Sequence, residues 1–203
     1  MKDFVRDEIA GPLEADFQIG ARPEDSGRIA QLIAPPQFDI PFDQLPEDSP
    51  MRKTLTNPFP DADVAHTAEW RDADLGAVNG HGNARSLARM LSPVSLGGTA
   101  NGVELLSAKT VDRIFDVQSA QLDLVLGVPI RFGIGYGLPT PEAVPFLPPD
   151  ERVCFWGGWG GSMVLMNPDR RTTAAYVMNK MGLGTLGNEH TARYESLIYE
   201  AIS

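Results

Sequence analysis

The run Phe155-Trp156-Gly157-Gly158-Trp159-Gly160-Gly161-Ser162 constrains this chain more than any other stretch. Four glycines and two tryptophans lie between segments that read as strands, Arg152–Phe155 and Ser162–Asn167. Glycine weakens a strand because it loses more backbone entropy and offers no side chain to pack. A run of it points to a bulge, or to close approach of a ligand or a second backbone. Tryptophan adds an apolar wall with one N–H donor. A Gly-rich turn with aromatic core packing fits the same residues, so the run alone does not choose between a site and a scaffold.

The surrounding periodicity sets the fold class. Thr172–Asn179 reads as a third strand, joined to Ser162–Asn167 by the turn Asn167-Pro168-Asp169. Leu122–Ile130 and Arg131–Leu138 read as two more, the second Gly-rich. A final helix spans about Asn188–Ala201, with Ala192, Leu197, Ile198 and Ala201 on one side. Earlier helices are expected at Asp63–Asp72, at Asn83–Leu96 (Ala84, Leu87, Ala88 and Leu91 on one face, closed by Gly97-Gly98), and from Ser107 to Phe115. Asn79-Gly80-His81-Gly82 reads as a turn, and Asn101-Gly102 as a tight one. The first ten residues read as an amphipathic helix with Phe4, Val5 and Ile9 on one side, ended by Gly11-Pro12. The expected class is α+β, an antiparallel sheet with flanking helices. The expected organisation is one domain over 1–203: a helix and Pro-rich irregular region (1–63), a helical part (64–120), then antiparallel strands and the terminal helix (121–203).

In the Pro-rich part, Pro23, Pro35, Pro36, Pro41, Pro46, Pro50, Pro58 and Pro60 interleave with Phe17, Ile19, Phe38, Ile40 and Phe42. That is too apolar for a disordered linker. Long excursions of this kind often line binding sites, so the acidic stretch Asp39–Asp63 reads as a solvated, substrate-side lid without metal-ligand spacing. The chain is 42% apolar with a net charge of -10. Negative charge repels nucleic-acid phosphates and anionic lipid heads, which argues against both as partners. No stretch is apolar for long enough to span a bilayer, and the N-terminus lacks a signal-peptide core. The lone Cys154 forbids an internal disulfide, suits a reducing, cytoplasmic location, and reads as a small core residue.

Several catalytic signatures are absent from these residues. No serine is followed three residues later by lysine; Ser107 has Lys109, at the wrong spacing. There is no Gly-x-Ser-x-Gly elbow, no Tyr-x-Asn or Ser-x-Asn, no phosphate loop and no dinucleotide fingerprint. His66, His81 and His190 are scattered, and no zinc-type ligand set forms, so no metal or cofactor is expected.

Four stretches, in order along the chain, carry a resemblance. They are Asp7-Glu-Ile-Ala-Gly-Pro-Leu13 with Asp16-Phe17, Asn79-Gly-His-Gly-Asn-Ala-Arg-Ser-Leu-Ala-Arg89, Phe132-Gly-Ile-Gly-Tyr-Gly137, and Phe155–Ser162 with the hairpin to Met181. Together they resemble the C-terminal part of serine β-lactamase-related hydrolases, the family VIII carboxylesterases, of the β-lactamase/penicillin-binding-protein-like fold. Trp156-Gly157-Gly158 resembles that fold's third active-site motif. The resemblance implies ester hydrolysis through an acyl-enzyme on a serine of Ser-x-x-Lys, with a Tyr helping to relay the proton. Both elements would lie upstream of the region matched, and a complete member would be about twice as long. This chain is therefore expected to begin inside the catalytic domain, to hold no catalytic residue, and to be inactive alone.

The residues then expected to bind substrate are Trp156, Gly157, Gly158, Trp159, Tyr136, Asn79 and His81. One backbone N–H near Gly158–Trp159 would contribute to an oxyanion hole. Asn79 and His81 either line the pocket mouth or form a turn with a surface or capping histidine. Tyr136 either faces the pocket or packs in the sheet. A neutral Trp156 cannot ion-pair with a substrate carboxylate as Lys or Arg could, which favours an ester over a β-lactam. Two further readings remain: acyl transfer to a small alcohol, and a non-catalytic or complementing subunit, as a homodimer or with a chain that supplies the serine.

Overall fold

The computed structural model describes residues 1–36 and 42–202. Phe38, Ile40 and Pro41 of the Pro-rich stretch, and the start of the acidic lid, lie outside the described residues. Helix α1 (Lys2–Phe4) passes into a π-helical turn, Val5–Ala10. The wider turn changes the phase of the side chains. Val5 and Ala10 are buried with Ile19, while Phe4, expected beside Val5, is left 60% exposed.

Strand β1 (Phe17–Ile19) follows, then a 3-10 turn (Pro23–Arg28), and helix α2 (Pro50–Thr56), which the sequence reading did not anticipate. Ser49 caps α2 and Pro50 occupies its first turn, where a missing N–H costs nothing. The helical signal at Asp63–Asp72 divides at Thr67 into a 3-10 turn (Ala62–His66) and α3 (Ala68–Asp72), and Thr67 Oγ1 accepts the Trp70 N–H at 3.2 Å.

The expected turn at Asn79–Gly82 is instead strand β2 (Gly80–Gly82), antiparallel to β1. Its glycines have a packing reason: a Cβ at Gly80 or Gly82 would lie 2.7 or 2.6 Å from the Phe17 ring. Helix α4 (Ala84–Ser95) is capped by Asn83, whose side chain accepts the Ser86 N–H. Pro93 withholds an N–H in its last turn, and Ser92 Oγ donates to the Arg89 carbonyl instead. The short ribbon β3 (Thr99–Ala100) and β4 (Val103–Glu104) precedes α5 (Ala108–Ile114), capped by Ser107.

The main sheet is antiparallel: β5 (Ser119–Leu122), β6 (Pro129–Phe132), β7 (Gly137–Leu138), β8 (Cys154–Gly157), β9 (Met163–Asn167) and β10 (Thr172–Tyr176), in sequence order across the sheet. The two strands expected over Leu122–Leu138 are thus displaced. Residues 123–128 form a turn, because Asp123 Oδ1 accepts the N–H groups of Val125 (2.9 Å) and Leu126 (2.7 Å). Leu124, read as strand interior, is 62% exposed in that turn. A second turn at Gly133–Tyr136 divides β6 from β7, with Gly135 at φ 82°.

Helix α6 (Glu189–Ala201) closes the chain. The sheet is a filled layer because strand residues alternate between faces. Phe155 joins Ile130, Met163, Leu165 and Ala174 on the face covered by Ile198 and Tyr199 of α6. Its neighbour Cys154 joins Met166 and Leu138 with Val94, Val111 and Ile114 from α4 and α5. Helices thus cover both faces, the α+β arrangement expected.

Candidate functional site

At the end of β8 the Gly/Trp run leaves the sheet. Gly158 N–H donates to the Ser162 carbonyl (2.8 Å) and Gly161 N–H to the Gly158 carbonyl (3.0 Å), closing a tight loop. Gly160 and Gly161 have φ of 101° and 108°, which L side chains rarely adopt. The run is pressed against residues 182–191. Gly160 N–H donates to the Gly184 carbonyl, Asn188 Nδ2 to the Gly160 carbonyl (3.1 Å), and Thr191 Oγ1 to the Gly161 carbonyl (2.6 Å). A Cβ on Gly157 would lie 2.4 Å from the Thr185 carbonyl oxygen, and one on Gly161 2.0 Å from Asn188 Nδ2. Close approach of a second backbone accounts for Gly157, and positive φ with crowding side chains (Met178 and Met181 at Gly160, Asn188 at Gly161) for Gly160 and Gly161, while a Cβ on Gly158 would meet nothing.

The loop forms one wall of a cavity of about 540 Å³. Gly158, Trp159 and Ser162 line that wall; Phe17, Ile19, Ile29 and Leu32 line another; Asp61, Ala62, His66, Trp70, Arg71, Asn79 and His81 complete it. Of the stretch Asp39–Asp63, Asp61 and Ala62 line this cavity, while Met51 of α2 lies against the Gly127 turn.

Four of the seven expected site residues meet in this cavity: Asn79, His81, Gly158 and Trp159. Trp159 is 39% exposed, and its N–H donates to no group among the described residues. The Gly158 N–H, by contrast, is used inside the loop. Trp156 and Gly157 precede the cavity in β8 and do not line it. The Trp156 ring lies 5.5 Å from that of Phe132 and is 37% exposed. Tyr136 is drawn elsewhere by the Gly133–Tyr136 turn. It packs on the Cys154 core layer and lines a separate cavity of about 570 Å³ with Phe4, Met90 and Leu106. Burial raises its phenol pKa.

Asn79 is 2% exposed and its side chain is spent on the backbone. Nδ2 donates to the Trp70 (2.9 Å) and Ala73 (2.7 Å) carbonyls, and Oδ1 accepts the Leu75 N–H at 3.3 Å. Asn79 therefore shapes the α3–β2 connection that carries His81. The half-buried His81 places Nδ1 2.8 Å from the Asn79 carbonyl. A carbonyl only accepts, so Nδ1 carries the proton and Nε2 presents a lone pair. Burial lowers the His81 pKa; the Asn79 carbonyl opposes this, and the Arg71 charge lowers it further. The ring is therefore neutral at pH 7.

Sequence reasoning missed Trp70, Arg71 and His66 as cavity residues. They sit on a short 3-10/helix pair with no motif, held by contacts from distant residues such as Ala21 N–H to the Arg71 carbonyl, His66 Nε2 at the Leu32 carbonyl and Asn79 Nδ2 to the Trp70 carbonyl. It also missed a polar platform on an adjoining cavity of about 320 Å³ that His81 shares. There Asp25 accepts from Gln18, Arg22 and Arg28. Those bonds, Arg28 first, hold its carboxyl at about 2. Among the described residues no group of three or more His, Cys, Asp or Glu could hold a metal, and no helix is long and apolar enough to cross a membrane.

Residues 1–197 match the model of the family described as Beta-lactamase. This chain belongs to the beta-lactamase family. Among its curated relatives is the esterase/beta-lactamase LipL of Mycobacterium tuberculosis, 30% identical over 194 residues, a match covering 89% of this chain and 43% of that protein. A family VIII carboxylesterase of known structure superposes with a TM-score of 0.84 at 25% identity, over 98% of this chain and 51% of that one. A penicillin-binding-protein homologue from Caulobacter crescentus gives 0.81 at 27% identity, over 98% and 52%. The chain thus has the C-terminal part of the beta-lactamase/penicillin-binding-protein-like fold, and it spans about half the length of the relatives it matches.

Proposed function

We propose that this beta-lactamase-family chain forms the substrate-cavity side of a serine ester hydrolase that works through an acyl-enzyme. The observation that carries the reading is the placement of Trp159. It lies in the loop that follows strand β8, at a largely apolar cavity, and offers a backbone N–H with no partner among the described residues. A fixed N–H at such a place can stabilise an acyl oxyanion without reorganising. The esterase named among the relatives supports the reaction class. Since no serine here precedes a lysine by three residues, the nucleophile must come from a segment or second chain outside these residues. The single cysteine, which allows no internal disulfide, fits a reducing, cytoplasmic location for that assembly.

The test is p-nitrophenyl acetate hydrolysis. These 203 residues alone are expected to give no burst, and addition of a family segment bearing Ser-x-x-Lys, fused or separate, is expected to give one. Butanol added to the same assay reads out acyl transfer as butyl acetate. A covalent serine-probe adduct on the isolated chain would refute the division of labour.

A further inference from the structure

The cavity lining includes a cation that forms no ion pair among the described residues. Arg71 lines it from the end of α3, half-buried. Its Nε donates to the Ala65 carbonyl at 3.3 Å, and its own carbonyl accepts the Ala21 N–H. Among the described residues no carboxylate lies within 4.0 Å of its guanidinium. Neighbouring arginines differ. Arg22 and Arg28 close on Asp25, and Arg28 also pairs with Asp16. Asp61, the carboxylate in the same lining, makes no ion pair with Arg71; it accepts the Asp63 N–H and caps the turn that follows it. His66 is tied to the Leu32 carbonyl at 2.9 Å.

We propose that Arg71 is the anchor for a substrate carboxylate, so that the cavity takes esters whose acyl or alcohol part carries a negative charge. The inference rests on the ester-hydrolase reading and names its substrate class. Nε is already held, so the terminal nitrogens present a preset fork, the geometry that suits a carboxylate. Trp70 and Trp159 supply apolar walls that weaken screening and strengthen a charge pair. Trp156 offers no cation and does not line the cavity, so Arg71 supplies from its lining the cation that the strand motif lacks. The field of Arg71 already reaches the His81 ring, and a bound anion would cancel it there.

The test uses this chain as it is, with two probes of matched shape: adipic acid monomethyl ester and dimethyl adipate. Titration followed by the His81 ring NMR signals is expected to show the monoanion binding about tenfold tighter or better. Its affinity should fall with added salt while that of the diester does not. Arg71→Gln should reduce the monoanion to the level of the diester, and Arg71→Lys should retain part of the difference. Binding of the monoanion should also raise the pKa of His81. Equal affinities, binding of neither probe, or indifference to Arg71→Gln in a variant with an unchanged thermal melt overturns the proposal. If Arg71→Gln does not fold, the wild-type comparison and its salt dependence decide. Turnover of neutral p-nitrophenyl acetate does not involve the anchor, so failure of the hydrolase reading would show there and not here.

Discussion

Glu195 allows the packing of α6 to be tested by titration alone. It lies four residues after Thr191 and four before Tyr199, so the three share the helix face turned to the sheet. Its side chain is 0% exposed, and neither carboxyl oxygen has a hydrogen-bond partner among the described residues. Burial alone pushes its pKa from 4.5 to about 7. The folded chain holds the proton more tightly than the unfolded one, so stability falls as pH rises from 4.5 through 7 and is level above. A shift of that size corresponds to roughly 3 kcal/mol between the two limits. Glu195→Met removes the titrating group at similar volume. Urea midpoints followed by circular dichroism, in both proteins at pH 4.5, 6 and 8, should show the variant gaining on the wild type by roughly 3 kcal/mol across that range, with unchanged slopes. His81 works in the opposite sense: its lowered pKa makes stability fall as pH drops through 6.5, but it is common to both proteins and cancels in the difference. Asp25, held at about 2, loses its contribution only in acid below this window. A stability difference that stays constant from pH 4.5 to 8 would refute the buried, unpartnered placement of Glu195.

Two further outcomes follow from the packing. Gly157→Ala would set a methyl against the Thr185 carbonyl and the Leu186 Cα, neither of which can swing aside, so a loss of about 1–3 kcal/mol is expected by urea melting, and wild-type stability would refute the close approach. Cys154 is 0% exposed and burial raises its thiol to about 12, so Ellman's reagent should label it only after addition of denaturant; prompt labelling of the folded chain would contradict its place in the core.

Much of the architecture is local and therefore readable. The caps Asn83, Ser107 and Asn188 mark helix starts because the side-chain oxygen satisfies N–H groups a few residues on. The Asn167-Pro168-Asp169 turn pairs β9 with β10 because a tight turn sets its own register. The misreadings share a cause. The apolar run 122–130 looks like one strand, but Asp123 bends it into a turn that leaves Leu124 exposed. The glycines at 80 and 82 look like a turn, but they exist to let Phe17 lie across an unforeseen strand pair.

The candidate site divides along the same line. By itself the sequence marked the Gly/Trp run as either a Gly-rich turn or a place of close approach, without choosing between them. It also carried the family, through four stretches kept in order. Only the tertiary structure decided what the run meets: the 182–191 backbone on one side, and on the other a cavity with Trp159, His81 and Arg71 on its walls. It also separated Trp159 from Trp156 and sent Tyr136 to another cavity. Those outcomes depend on pairings such as Phe17 with Gly82, more than sixty residues apart (~60 residues of separation leave no local periodic trace). Contacts of that range arise from chain geometry after collapse, and no short window of residues encodes them.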